Sequence, residues 1–184
     1  MYRNVAFIGK ARSGKDTAAL RLVESWAFTR VAFADPLKRM ALQVNPFIPT
    51  GPGIAVRLES LIADVGWGYA KDHYPEVRRI LQCLGASVRE LDPDFWLDIA
   101  LRSIDAARTW NMPVVVTDCR YPNEAVKLRQ FGFYMVEIRR RGANGNGHES
   151  ETALSGFVAD RVLCNDNGVF DLHTAVDTLV QSRI

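Results

Sequence analysis

The chain has only three cysteines in 184 residues, Cys83, Cys119 and Cys164. An odd number without metal-ligand spacing points to free thiols in a reducing compartment. Long apolar runs are missing as well. No stretch is long enough to span a bilayer and the first residues lack the apolar core of a secretory signal, so the expectation is a soluble, intracellular protein. The formal charge of +2 is too small to call for a nucleic-acid or membrane partner. Repeats and low-complexity tracts are also missing. What is present is 48% hydrophobic and 24% charged residues, enough to give one domain a full core.

The strongest local pattern is GKARSGKDT at residues 9–17. Gly9, Gly14 and Lys15 stand at the G-x-x-x-x-G-K spacing of a phosphate-binding loop, after a short apolar run at Val5–Ile8 and before a helical pattern at Lys15–Trp26. Such a loop needs glycines so that backbone N–H groups can curl around phosphates, a helix N-terminus for its dipole, and a lysine to reach the β- and γ-phosphates. The next position calls for a hydroxyl on Mg²⁺, but holds Asp16. Asp16 reads either as an acid favoured by the helix dipole or as a carboxylate ligand of Mg²⁺. Thr17 does not replace the hydroxyl, because one residue along a helix turns the side chain by about 100°.

Strands and helices alternate along the rest. Residues 30–34 read as a second strand, and Asp35-Pro36 as a helix start, cap then proline, with Leu37, Met40, Ala41 and Val44 as the apolar face. The Pro- and Gly-rich segment 45–53 reads as a loop. A helix at 76–91 carries Ile80, Leu84, Val88 and Leu91, and Asp92-Pro93 opens another that runs to about residue 108. Strands follow at Val114–Val116, Tyr134–Arg139 and Arg161–Cys164, with helices to Phe131 and over 170–182. The alternation predicts an α/β fold: a parallel sheet of about five strands between helical layers, in one domain. Its core takes about 1–44 and 111–184, with a helical insertion at about 45–110 and a short lid at about 139–152.

Further candidates for chemistry lie along this frame. Asp118 ends the VVVTD strand, where a carboxylate would meet the phosphate loop, although a plain strand-end aspartate fits too. Arg120 would grip a phosphate bidentately or be solvated. Arg78, Gln82, Gly85 and Arg89 share one helix face, suited to an anionic ligand with a base edge or to solvent. Arg139-Arg140-Arg141, before the glycine-rich 142–147, reads as part of a lid over phosphates, a strand-end charge run, or a weak nucleic-acid patch. His148 has no second histidine at ligand spacing, which favours a polar loop residue or phosphate contact over a metal site.

Taken in order, GKARSGKDT, FADPLKRM, LQCLGASVRELDPDFW, VVVTDCRYPNEA and HESE resemble the motifs of phage-type deoxynucleoside monophosphate kinases, over residues 5 to about 170. The loop alone is similar to that of animal-type phosphomevalonate kinases too. The resemblance implies a three-layer P-loop kinase fold with an inserted acceptor-binding region, and transfer of phosphate from ATP, with Mg²⁺, to a (deoxy)nucleoside monophosphate. It implies that Gly9, Lys10, Ala11, Arg12, Ser13, Gly14, Lys15, Asp16 and Thr17 hold the ATP phosphates. By the same resemblance the 165–168 loop, with Asn167, approaches the base. Phe33, Asp35, Lys38, Arg78, Gln82 and Arg89 would line the acceptor side. Asp16 and Asp118 would hold the metal, Arg120 the phosphates, and His148, Ser150 and Glu151 would belong to the lid. Lys15, Asp16, Arg120 and Arg140 form the expected catalytic set, and His148 has no acid–base role. The expected partners are nucleotides in a cytoplasm, the host's if the chain is phage-encoded. No membrane and no stable nucleic-acid partner is expected, and a homodimer is left open. Two rivals stay open, a P-loop kinase of another phosphorylated metabolite such as phosphomevalonate or dephospho-coenzyme A, and a nucleic-acid-associated ATPase.

Overall fold

The computed structural model describes residues 2–143 and 153–182. The chain divides into two compact units, one of Met1–Ala32 with Ala100–Ile184 and one of Phe33–Ile99.

The first unit is built on five parallel strands in the order β2-β5-β1-β6-β7: β1 (Val5–Ile8), β2 (Thr29–Val31), β5 (Val114–Val116), β6 (Tyr134–Arg139) and β7 (Arg161–Cys164). The inner strands β1 and β5 are apolar and buried on both faces, as inner parallel strands require, whereas the edge strands β2 and β7 bury only Val31 and Leu163. β1 is central, paired with β5 from Val5↔Val115 and with β6 from Val5↔Tyr134. Asn4 sets both registers, accepting from Val114 N–H at its side chain (2.8 Å) and from Tyr134 N–H at its carbonyl (2.7 Å). Helices α1 (Lys15–Trp26) and α7 (Val169–Gln181) cover one face and enclose a core of Phe7, Leu22, Val115, Ile138, Leu172 and Val176. Across them Asp177 takes two bonds from Arg21 and one from Trp26 Nε1. Helix α6 (Pro122–Gln130) links β5 to β6. The connections from β1 to β2 and from β5 to β6 run in opposite directions across the sheet, which makes the carboxyl end of β1 a switch point of the kind where ligands bind in such sheets.

The second unit contains α2 (Ala34–Val44), a hairpin of β3 (Phe47–Gly51) and β4 (Ile54–Arg57), α3 (Leu58–His73) and α4 (Pro75–Leu91). α5 (Phe95–Thr109) begins in it, and the boundary falls after Ile99. Its core is Ala41, Ile48, Leu58, Leu61, Ala70 and Val77.

Several expectations are corrected here. Segment 45–53 is no loop: β3 and β4 pair antiparallel, Phe47↔Arg57 to Gly51↔Ile54. Pro52 and Gly53, the latter at φ +69°, make the turn between them, so the Pro/Gly punctuation marked a hairpin corner. The insertion is accordingly not all helical. It runs from 33 to 99 rather than 45 to 110, because Ala41 of α2 shares a core with Ile48 and Leu58. β2 stops at Val31 because α2 already starts at Ala34. Phe33 occupies the cap position of α2, which puts Asp35 inside the first turn instead of at the cap. Val44 and Leu91, assigned to apolar faces, are 64% and 89% exposed at the ends of their helices. Of the expected lid, Arg140 to Ala143 form a turn after β6, and 144–152 fall outside the described residues.

Candidate functional site

The loop between β1 and α1 lies at the carboxyl end of the central strand. Gly9 has φ +134° and Gly14 φ +108°, backbone conformations that side chains rarely allow. Both glycines are also required by packing, since a Cβ on Gly9 would run into the Ile138 carbonyl and one on Gly14 into Asn165 Nδ2. Arg12 takes φ +62° at the loop's exposed tip. Lys15 is buried, and its Nζ donates to the carbonyls of Gly9 (2.7 Å) and Lys10 (2.6 Å). The ammonium is thus folded into the loop, where an anion would find it. Asp16 is exposed on the first turn of α1, next to a half-buried Thr17.

β5 runs beside β1, and its register with β1 brings the next residues, Thr117 and Asp118, level with the end of β1. Asp118 and Arg120 are half-buried and Cys119 between them is buried. Burial pushes the Cys119 thiol well above its usual range, with Glu124 and Asp118 adding to the effect, so it stays a neutral thiol. The turn is held from beneath by Glu124, 1% exposed, whose Oε2 accepts from the N–H groups of Arg120 (2.8 Å) and Tyr121 (3.1 Å). A carboxylate receiving backbone donors in a buried place makes a stiff strut. Sequence reasoning missed Glu124, although Tyr121-Pro122-Asn123-Glu124 carries a readable signal, proline at the first helical position and glutamate at the third.

Among the described residues two buried hydroxyls, Ser13 Oγ in the loop and Thr117 Oγ1 just after β5, have no hydrogen-bond partner. Leaving such a group unpaired costs about 1–3 kcal/mol, so a polar ligand or water at this place is favoured. This supports a fit to phosphate, as does the lysine held inside the loop. For a divalent cation the available donors are the carboxylates of Asp16 and Asp118, hard oxygens that suit Mg²⁺. Among the described residues no three His, Cys, Asp or Glu gather into a metal cluster, so such an ion would complete its shell from phosphate and water.

The remaining candidates of this unit end neighbouring strands. Arg139 at the end of β6 is bonded to Glu137 (2.7 Å), which raises its pKa. Arg140 is exposed, and Arg141 is tied to Asp166. Asn167, after β7, is exposed, whereas Asn165 is buried against the phosphate loop. His148, Ser150 and Glu151 lie outside the described residues.

The second unit holds the other candidates. Phe33 is buried just ahead of α2, and Lys38 Nζ bonds Asp35 (3.2 Å) within its first turns. On α4, Arg78 is engaged by Asp72 (3.1 Å) and the Lys71 carbonyl (3.3 Å), and Gln82 and Arg89 are half-buried. Gly85 is buried: a Cβ there would stand 3.3 Å from Leu37, and its carbonyl accepts from Trp96 Nε1 (3.3 Å). Its small size lets α2 approach α4, bringing the Asp35–Lys38 and Gln82–Arg89 stretches close, and leaves no gap for a ligand.

The family model described as deoxynucleotide monophosphate kinase matches residues 57–176, more than half of the chain. A protein of Acanthamoeba polyphaga mimivirus named "Putative deoxynucleotide monophosphate kinase" is 24% identical over 194 residues, covering 97% of this chain and 96% of its own. "Uncharacterized protein ORF77" of Ictalurid herpesvirus 1 (strain Auburn) is 32% identical over 112 residues, 58% of this chain and 49% of that one. A solved structure described as a "putative kinase" from Chloroflexus aurantiacus J-10-fl covers both chains fully at 10% identity and a TM-score of 0.44, too slight a likeness to carry an argument.

Proposed function

The chain belongs to the deoxynucleotide monophosphate kinase family, phosphotransferases of small-molecule nucleotides, and from that premise we propose that it moves the γ-phosphoryl group of ATP, with Mg²⁺, onto a deoxynucleoside monophosphate. The observation that carries the donor half of this reading is Lys15, buried with its ammonium on the Gly9 and Lys10 carbonyls in a glycine-bent loop at the carboxyl end of β1. Arriving phosphate oxygens would compete with those carbonyls for the same three N–H donors, so the lysine shifts partners without leaving its place.

The acceptor phosphate is already anionic at neutral pH and needs no strong general base. Rate acceleration then comes from alignment and charge neutralisation. Lys15 neutralises the transferring group, and Arg120, on a backbone fixed by Glu124, grips a phosphate. Arg140, exposed beyond β6, adds a second positive charge. Asp16 and Asp118 would hold Mg²⁺, which when bound screens the β- and γ-oxygens. Gly9 to Thr17 would seat the ATP phosphates and Asn167 approach the base. Phe33, Asp35, Lys38, Arg78, Gln82 and Arg89 would serve the acceptor.

A coupled ADP-release assay over ribo- and deoxynucleoside monophosphates, with a Mg²⁺ titration, tests the proposal. Turnover with at least one deoxynucleoside monophosphate is expected. Inactivity on the whole panel, with a folded chain, would overturn it. Asp16→Asn is expected to raise the Mg²⁺ requirement, and an unchanged titration would return Asp16 to the helix dipole.

A further inference from the structure

Asn165 and Asp166, the two residues after β7, each hold a different phosphate-handling segment. The sheet already uses the Asn165 backbone, whose N–H donates to the Arg139 carbonyl at 2.7 Å. Its side chain is nonetheless 7% exposed, and Nδ2 donates to the Ser13 carbonyl at 2.8 Å inside the phosphate loop. The carboxamide lies so close over Gly14 that a Cβ there would run into it. In a trans peptide the Gly14 N–H points opposite to the Ser13 carbonyl, so a bond that fixes the carbonyl also aims the N–H. Asp166 does the equivalent for the arginine run: Oδ1 accepts from the Arg141 N–H at 2.7 Å and Oδ2 lies 3.4 Å from Arg141 Nε. The Arg141 side chain is 92% exposed, so that ion pair adds little. With the Asn165 N–H on the Arg139 carbonyl and the Ala143 N–H on the Arg140 carbonyl, the Asp166 bond to the Arg141 N–H helps fix the turn that carries Arg140.

We propose that Asn165 and Asp166 are positioning residues, which hold the phosphate loop and the arginine turn in common register from one turn of chain. The inference deepens the kinase reading and rests on it, since it requires the loop to bind ATP. The competing view is that both side chains merely stabilise the fold.

The test uses the full chain with Asn165→Asp, Asn165→Ser, Asp166→Ala and Asp166→Asn. Each is measured for Mg·ATP affinity without acceptor, for kcat and both KM values, and for the urea midpoint. Asn165→Asp keeps the shape but turns an acceptor toward a carbonyl, and is expected to weaken ATP binding about tenfold or more. Asn165→Ser should weaken it about fivefold, with acceptor KM nearly unchanged and the urea midpoint lowered by no more than the loss of one buried bond. Asp166→Ala should lower kcat about fivefold, while Asp166→Asn, which keeps an acceptor for the Arg141 N–H, restores most of it. ATP affinity within twofold of wild type in both Asn165 variants overturns the proposal. So does Asp166→Asn as damaging as Asp166→Ala, or the outright unfolding of both Asn165 variants. A wild-type chain that binds ATP but phosphorylates nothing defeats the kinase reading alone, and the Asn165 affinities still decide the inference. One that binds no ATP defeats both.

Discussion

The two units prepare their candidate residues by different means. In the sheet unit the phosphate loop and the turn after β5 are held by buried or part-buried side-chain bonds to backbone: Lys15 to two carbonyls, Asn165 to the Ser13 carbonyl, Glu124 to the Arg120 and Tyr121 N–H groups. In the helical unit two charged candidates sit in ion pairs at partly exposed positions, Lys38 with Asp35 and Arg78 with Asp72, Arg78 also reaching the Lys71 carbonyl. A buried backbone bond broken on one side costs about 1–3 kcal/mol, while an exposed ion pair contributes about 0–1 kcal/mol. The sheet unit is therefore stiff before any ligand arrives, and the charges of the helical unit are cheap to redirect.

The largest expected effect of a single change is on the stiff side. Lys15→Ala should lower turnover about a thousandfold or more with the fold retained, as charge neutralisation is lost. Wild-type-like turnover would remove the loop from the reaction. Glu124→Ala strands two buried donors and should cost roughly 2–4 kcal/mol of stability, visible in a urea titration, with about a tenfold loss of turnover through Arg120. Glu124→Gln, retaining an oxygen acceptor, should lose less. An unchanged urea midpoint in Glu124→Ala would show that the strut carries nothing.

On the other side, Asp72→Ala releases Arg78 and should raise the acceptor KM about two- to threefold while leaving ATP affinity alone. A loss as large as that of Glu124→Ala would erase the contrast between the units. The smallest effect belongs to Asp177→Asn, within the sheet unit but remote from the phosphate loop. It should lower Tm by about 2–4 °C with unchanged kinetics. Hydrogen bonding from Arg21, aided by Trp26 and the Arg21 charge, depresses the Asp177 pKa against some desolvation. With a depressed folded value, its stabilisation is fully present above the ordinary carboxylate range and lost as pH falls through the folded pKa. The Tm gap between wild type and Asp177→Asn should accordingly be constant near neutrality and shrink below about pH 4. A gap independent of pH would assign it to packing.

Legibility in the sequence followed the same division. β1, α1, β5, β6 and β7 match their predicted bounds because short buried strands and a four-residue apolar period are local signals. The family and its phosphotransfer chemistry were legible from the ordered motifs. The hairpin was not, since Pro49, Pro52 and Gly53 outweighed a weak alternation in which Ile48 is the one buried residue of β3. Gly85 was misread because its neighbour, Leu37, comes from another helix. Asn165 stood within a segment assigned to the base, but no local pattern shows that its side chain turns back to a carbonyl far along the chain.

That bond joins positions 152 residues apart, which bears on synthesis. A ribosome delivers residues 9–15 well before Asn165, and β1 has no strand partner until β5 and β6 exist. A nascent or truncated chain ending before β7 would therefore carry every residue of the phosphate motif with the loop still unfastened. Nucleotide binding should emerge only once β7 and Asn165 have been made.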